Sequence, residues 1–354
     1  MHKQTLAIIC GGVSGEHQVS LLSAQSVLKA LDRNRFNPVI IGVDKCGVWR
    51  RYDEGNWLNF ANDPKRIALA NNGSEFPLNP FPGSFQKMGI DAVFPLIHGS
   101  FGEDGTLQGL LELVAVPYVG PDVAGSSMAI DKDLTKRILS HAGVNVVPFE
   151  TFEPQDIKEL DVNTLWSRFS EGCFVKPARC GSSLGIRQVK TKETLKPAIE
   201  FALRYDDKVL VEQKIVGREL ECAVLGGTPP LASVIGEIVP KDGFYSYEAK
   251  YIDDDGAQLI APAEVTSAVR DALQKTAIKT FQMLCLEGMA RVDFFLANDG
   301  VLYVNEVNTI PGFTKISMYP RLLGLSGVPY TELITKLVDL GIGRFERRKQ
   351  LVRE

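Results

Sequence analysis

Apolar and polar positions along the chain fall into two regimes. In the opening third, apolar runs come in unbroken blocks. LAIIC at 6–10 leads through GGVSGEHQVS into SLLSAQSVLKAL, whose apolar residues recur at helical spacing. The pattern predicts strand, glycine loop and helix. PVIIGV (38–43) and DAVFPLI (91–97) read as further fully buried strands, so this third is expected to be a parallel sheet flanked by helices. The stretch 52–90, rich in Asn, Pro and Gly, reads as an irregular insertion with no assigned role.

Further along, DKDLTKRILSHAG (131–143) predicts a helix opened by Asp131 and closed at Gly143. CFVKPA (173–178), a Gly/Ser loop, LGIRQVK, a helix near 193–205 and KVLVEQKI (208–215) predict a small α+β unit, with a boundary near 212. Beyond it the apolar positions alternate. RELECAVLG, ASVIGEIV, MARVDFFL and VLYVNEVN predict mostly antiparallel strands, with helices near 264–285 and 329–341. The closing RFERRKQLVRE reads as a solvated charged tail.

Composition narrows the class. With 45% hydrophobic and 23% charged residues over 354 positions, the chain can bury a core and divide into two or three units. Lys and Arg number 39 against 43 Asp and Glu, a balance with no basic field for nucleic acid or an anionic membrane surface. No apolar run reaches the roughly 18 residues of a membrane-spanning helix. MHKQTLAIICGG reads as a first strand and not as a signal peptide, because its apolar run ends in glycines. Six scattered cysteines without a CxxC pair read as reduced thiols in a cytoplasm.

Candidate chemistry concentrates in two segments. In ARVDFFLANDGVLYVNEVNTIPG (290–312), strand alternation puts Arg291 and Asp293 on one face and Val292, Phe294 and Leu296 on the other. An Asn-Asp-Gly turn at 298–300 brings back a second strand on which Glu306 and Asn308 share a face that Val304 continues. Two carboxylates and an amide are hard oxygen donors of the kind that suit Mg2+ beside nucleotide phosphates. Alone, the same pattern fits a surface hairpin with alternating charges. In KPARCGSSLGI (176–186), Gly181, Ser182, Ser183 and Gly185 leave N–H groups able to approach phosphate, although the Walker pattern is absent. Lys176 and Lys132 could supply point charges, or be ordinary solvated lysines.

Taken together, Lys132, KPARCGSS, VEQKIVGRE, EAKY, ARVD and NEVNTIPGF, with GGVSGEHQVS and HGSFGEDGTLQG (98–109), resemble the D-alanine–D-alanine ligases of the ATP-grasp superfamily over almost the whole chain. The resemblance implies an α/β and α+β fold in three domains: an N-terminal parallel α/β domain over 1–121, a central ATP-grasp unit over 122–212 and a C-terminal one over 213–354. ATP would lie between the last two. It further implies that Lys132, Lys176 and Lys250 meet ATP, with the loop at Ser182 and Ser183 closing over the phosphates. Glu212 and backbone near Ile215 would meet adenine, and Glu219 the ribose hydroxyls. Asp293, Glu306 and Asn308 would hold two Mg2+, for which Mn2+ substitutes. Glu16 would anchor the ammonium of the first D-alanine, with His98 beside that substrate. Arg291 and the Gly312 N–H would face developing negative charge, and Ser317 the carboxylate of the second substrate. Tyr251, in a lid over 242–258, would join Ser182 and Glu16. The implied reaction makes D-alanyl-D-alanine through a D-alanyl phosphate for peptidoglycan, in a cytoplasmic homodimer. D-lactate or D-serine as acceptor, or a non-catalytic nucleotide-binding regulator, are the alternatives. Cys180 in the loop and Gly15 where alanine is familiar are departures that touch no implied ligand.

Overall fold

The computed structural model describes residues 3–240, 257–314 and 316–352. Its first sheet and cover comprise β1 (Gln4–Gly11), α1 (His17–Ala30), β2 (Phe36–Val43), β3 (Trp49–Tyr52), β4 (Leu58–Asn59), β5 (Ala68–Leu69), β6 (Ser74–Glu75), α2 (Ser84–Lys87), β7 (Ala92–Pro95) and α3 (Thr106–Leu113). The sheet order is β6-β3-β2-β1-β7. β1 lies parallel to both β2 and β7, as its unbroken apolar run requires of a strand covered on two faces. β3 and β6 add an antiparallel edge. The stretch 52–90 is thus not merely irregular. Trp57, Ile67, Phe76 and Phe85, widely spaced among Asn, Gly and Pro, are all buried and pin it to the sheet.

Next come α4 (Val123–Ile130), α5 (Lys132–His141), β8 (Phe149–Phe152), α6 (Val162–Arg168), β9 (Cys173–Pro177), β10 (Arg187–Val189), α7 (Leu195–Ala202) and β11 (Val209–Gln213). The strands form an antiparallel sheet in the order β10-β9-β11-β8. Asp131 caps α5, its carboxylate accepting the N–H groups of Asp133 and Leu134, and this sets Lys132 as the first residue of the helix.

The last sheet is built from β12 (Gly217–Leu225), β13 (Leu231–Pro240), β14 (Ala257–Ile260), β15 (Met289–Ala297) and β16 (Leu302–Asn308), with helices α8 (Ser267–Met283), α9 (Met318–Leu325) and α10 (Tyr330–Lys349). Its order is β14-β13-β12-β15-β16, all antiparallel. Both faces are buried. Leu220, Cys222 and Val224 of β12 face a core shared with α8, whereas Ala223 and Leu225 join the core of the first sheet. That second core runs from Leu6 and Ile8 to Phe313, Tyr319, Leu333 and Leu337, so the C-terminal helices pack on the N-terminal sheet.

Two expectations are corrected here. The charged C-terminal stretch is not a free tail: through Lys349 it continues α10. Arg344 is buried, donating to the Tyr118 and Gly120 carbonyls with its guanidinium 4.3 Å from the Tyr118 ring centroid. Two carbonyl acceptors, a Glu287 oxygen at 3.5 Å and an aromatic face hold the guanidinium in the interior, which composition alone does not reveal. Nor does Val304 continue the polar face of β16. The β15–β16 ladder pairs Asp293 with Glu306 but Phe294 with Val304, a bulge that leaves Asn305 as the extra residue and turns Val304 into the core.

Candidate active site

A cavity opens where the three sheets meet, lined by residues from every part of the chain. From the first sheet's loops come Glu16, His98 and Glu103; from the second, Lys176, the 180–183 loop and Glu212; from the third, Glu219, Arg291, Asp293, Asn305, Glu306, Asn308, Gly312 and Ser317. Ile215, just before β12, also lines it. Lys132 is not itself among the lining residues but touches two that are, donating to the Cys180 carbonyl at 2.8 Å and lying 3.7 Å from a Glu306 oxygen. Lys250, Tyr251 and the expected lid up to residue 256 lie outside the described residues.

The loop between β9 and β10 turns over the cavity through Ser182 and Ser183, whose φ values of 51° and 59° lie in the left-handed region that L side chains seldom adopt. Such a conformation costs of order 1–3 kcal/mol per residue and persists only where contacts hold it. One such contact is the Ser182 hydroxyl, which donates to the Glu16 carboxylate from the other side of the cavity.

Beneath the loop lies a charge cluster that joins Lys176 and Glu212 to a third residue not singled out above, Lys136. Glu212 is almost wholly buried, with one oxygen 2.6 Å from the Lys176 ammonium and the other 3.2 Å from that of Lys136. The latter approach is an ion pair without hydrogen-bond geometry. Lys136 follows Lys132 by one helical turn and is fully buried. Burial alone would raise the Glu212 carboxyl, but Lys136 and Lys176 outweigh it and hold it below the usual carboxylate range. Burial pulls the Lys136 ammonium down, with Glu212 opposing. Lys176 also donates to Asn305 Oδ1 at 3.1 Å, the residue exposed to the cavity by the bulge. The Glu212 carboxylate thus pairs with two lysines while lining the cavity.

On β15, Arg291 grips Asp293 through two hydrogen bonds of 2.7 Å and reaches Glu221 at 3.2 Å. Asn308 donates to Asp293 at 3.0 Å, and Glu306 faces Asp293 directly across the ladder. Two carboxylates and an amide on one patch fit a hard cation such as Mg2+. Among the described residues no trio of His, Cys, Asp and Glu is placed to hold a metal, so phosphate oxygens and water would complete the shell.

The loop after β16 carries Gly312 and Ser317. Ser317 Oγ accepts the Thr314 N–H at 3.0 Å and lies 2.8 Å from Thr314 Oγ1. A Cβ on Gly312 would sit 2.7 Å from that same oxygen, so the close approach requires glycine. His98 lines the cavity, yet both ring nitrogens are taken: Nδ1 by the Ile310 carbonyl at 2.9 Å and Nε2 by Ser23 Oγ at 3.1 Å. Burial lowers its pKa and favours the neutral ring. Glu103, another residue not singled out, accepts the Gly99 and Ile310 N–H groups at 2.9 and 3.0 Å. Burial and the neighbouring Glu16 push its carboxyl up to about 8, against the pull of those two N–H groups.

Comparison with known proteins agrees across the whole length. The family model described as the D-ala D-ala ligase N-terminus matches residues 5–121, and the D-ala D-ala ligase C-terminus model matches 138–339. A D-alanine–D-alanine ligase of Shouchella clausii is 46% identical over 360 residues, covering 99% of this chain and 98% of that protein. D-alanine–D-alanine ligase A of Escherichia coli is 43% identical over 355 residues, with 97% of both covered. Among solved structures, the D-alanine–D-alanine ligase of Coxiella burnetii superposes with a TM-score of 0.83 at 35% identity, covering 99% of this chain and 97% of that one. The D-Ala:D-Ser ligase VanG of Enterococcus faecalis also gives 0.83, at 34% identity over 96% of this chain and 100% of that one.

Proposed function

The chain belongs to the D-alanine–D-alanine ligase family, and we infer that it joins two molecules of D-alanine to D-alanyl-D-alanine at the expense of ATP, in the cavity between its three sheets. The observation that carries this reading is the convergence of Lys176, the Glu16–Ser182 link, the Arg291–Asp293 pair and the Gly312 loop on one cavity, with Lys132 held against its rim at Cys180. Curated relatives at 43–46% identity carry the dipeptide-forming name, so neither D-lactate nor D-serine as acceptor, nor a non-catalytic regulator, is favoured.

In the first step a carboxylate oxygen of one D-alanine attacks the γ-phosphorus of ATP. An O–P bond forms, the bond to ADP breaks, and an acyl phosphate results. Such a transfer calls for positioning and charge neutralisation more than for a protein nucleophile. Lys176 and Lys132 supply positive charge, and the 181–183 loop supplies N–H donors. Mg2+, as two ions held by Asp293, Glu306 and Asn308, would neutralise phosphate charge, and Mn2+ has the same donor preference. Glu16 holds the ammonium of the first D-alanine. In the second step the free amine of the second D-alanine attacks the acyl carbon: a C–N bond forms, the C–O bond to phosphate breaks, and the proton lost from nitrogen leaves with the phosphate or to water. Arg291 and the Gly312 N–H face the tetrahedral oxyanion, and Ser317 the acceptor's carboxylate. Residues 1–121, 122–212 and 213–354 act as the substrate-binding, central and C-terminal parts of this machine, with Glu212, Glu219 and the backbone at Ile215 serving the nucleoside. Lys250 would join them at ATP, and Tyr251 would close the site over Ser182. We place the protein in the cytoplasm as a homodimer, the state that the family resemblance implies. Among the described residues no helix is long and apolar enough to cross a membrane.

The test is direct. Purified protein with ATP, Mg2+ and D-alanine should release ADP, phosphate and D-alanyl-D-alanine in equal amounts, with D-lactate and D-serine poor acceptors in competition. ATP turnover that is independent of D-alanine, or a product other than the dipeptide, defeats the reading.

A further inference from the structure

The loop that carries Gly312 is held by side chains more than two hundred residues away in sequence. Ile310 gives its N–H to Glu103 Oε1 at 3.0 Å and its carbonyl to His98 Nδ1 at 2.9 Å, and Phe313 gives its N–H to Ser23 Oγ at 3.1 Å. The donor pattern has one solution. A carbonyl only accepts, so His98 Nδ1 carries the proton. On the neutral ring Nε2 then accepts from the Ser23 hydroxyl, whose lone pair takes the Phe313 N–H. Glu103 Oε2 takes the Gly99 N–H at 2.9 Å, tying the staple to the loop that bears His98. Between the fixed ends stand Pro311, whose ring locks φ, and Gly312. The Phe313 ring, fully buried against Phe94, Tyr319 and Tyr330, anchors the segment but gives it no direction.

We propose that Ser23, His98 and Glu103 are positioning residues that fix the backbone from Ile310 to Phe313 and so aim the Gly312 N–H at the reacting carbonyl. This rests on the role given to Gly312 above. Three side chains from the N-terminal third hold the four-residue segment around one N–H of the C-terminal third, so the alignment of the second chemical step depends on how these two parts pack. In this role His98 acts through the backbone, by way of its hydrogen bond to the Ile310 carbonyl.

The quantity that reports this is ADP released per dipeptide formed. If the acyl phosphate forms normally but its attack by the amine is misaligned, water intercepts it and the ratio rises above one. Glu103→Gln puts an amide donor where one of two N–H groups needs an acceptor, and Ser23→Ala removes the acceptor for Phe313. Each variant is expected to raise the ratio at least about twofold. Dipeptide kcat should fall by about tenfold or more, with the KM for ATP nearly unchanged, since a misplacement of about 1 Å can cost ~10²-fold. A lowered melting temperature with the ratio still at one would reveal a purely structural role and overturn the proposal. Should Glu103→Gln fail to fold, Ser23→Ala decides alone. Arg291→Lys separates the two layers of inference. Uncoupling there, but in neither staple variant, refutes the staple and spares the site. Full coupling in all three variants refutes both.

Discussion

Glu212 and its two lysines permit a quantitative test of the charge cluster under the phosphate loop. With an effective dielectric constant of about 20, unit charges at the observed 2.6 and 3.2 Å attract by about 6 and 5 kcal/mol, most of it offset by desolvation. What remains after removing one partner depends on what is left behind. Lys136→Met removes a fully buried ammonium but leaves Glu212 its closer partner, Lys176, so the expected loss is about 1–3 kcal/mol. Glu212→Gln keeps the shape and leaves Lys136 buried with no carboxylate, a loss of about 3–5 kcal/mol. Equilibrium urea denaturation followed by circular dichroism at neutral pH measures both. The double variant Lys136→Met with Glu212→Leu should recover part of the Glu212→Gln loss, because the fully buried Lys136 charge is gone and only Lys176, which keeps Asn305 Oδ1, lacks its carboxylate. A larger loss in Lys136→Met than in Glu212→Gln, or losses in both within about 0.5 kcal/mol of the parent chain, the range of ordinary surface substitutions, would refute a buried charge cluster that matters to stability.

Other outcomes follow from the same geometry. Glu306→Gln keeps the side-chain size but removes a carboxylate opposite Asp293, so most ligation should vanish while the melting temperature stays close to that of the parent; near-normal turnover with an unaltered Mg2+ requirement speaks against the assignment. Gly312→Ala forces its Cβ against Ser317 Oγ and should break one or both Thr314 contacts, about 0.5–1.5 kcal/mol each, raising the KM of the second D-alanine; a crystal structure with Ser317 unmoved would contradict this. The carboxyl of Glu103 is raised to about 8 from an ordinary 4.5 in the folded chain, so its contribution to stability is complete below pH 4.5 and is lost as pH climbs through about 8. Denaturation across that window should show the decline in the parent chain and a shallower one in Glu103→Gln.

Much of this site is readable from residue order, because strand alternation is a local rule. Arg291 and Asp293 share a face of β15 as their spacing requires, and Glu306 and Asn308 face them. The bulge at Asn305 is not local in that sense. It depends on the register of the partner strand, and it sends Val304 inward while delivering Asn305 to Lys176. Lys136 and Glu103 escaped notice for a related reason. A lysine or glutamate is ordinarily solvated, and only the packing of distant segments shows that these two are enclosed. Arg344 is the same case at the chain's end: a cluster of arginines has the composition of a tail, yet the Tyr118 and Gly120 carbonyls that receive one of them lie more than two hundred residues earlier. Likewise, Trp57, Ile67, Phe76 and Phe85 are too far apart to form a periodic pattern.

The shared core of the first sheet and last helices bears on how the chain is made. Leu6 and Ile8 leave the ribosome early, but Leu333 and Leu337, which cover the same core, are added some 300 residues later. At about 5–20 residues per second that interval is roughly 15–60 s, during which the parallel sheet lacks the apolar cover of α10. The core of the first sheet is therefore incomplete until α10 has been made. A message cut short before the codons of α10 would yield a product whose first sheet has formed but remains adhesive, a hazard to its neighbours as well as an inactive fragment.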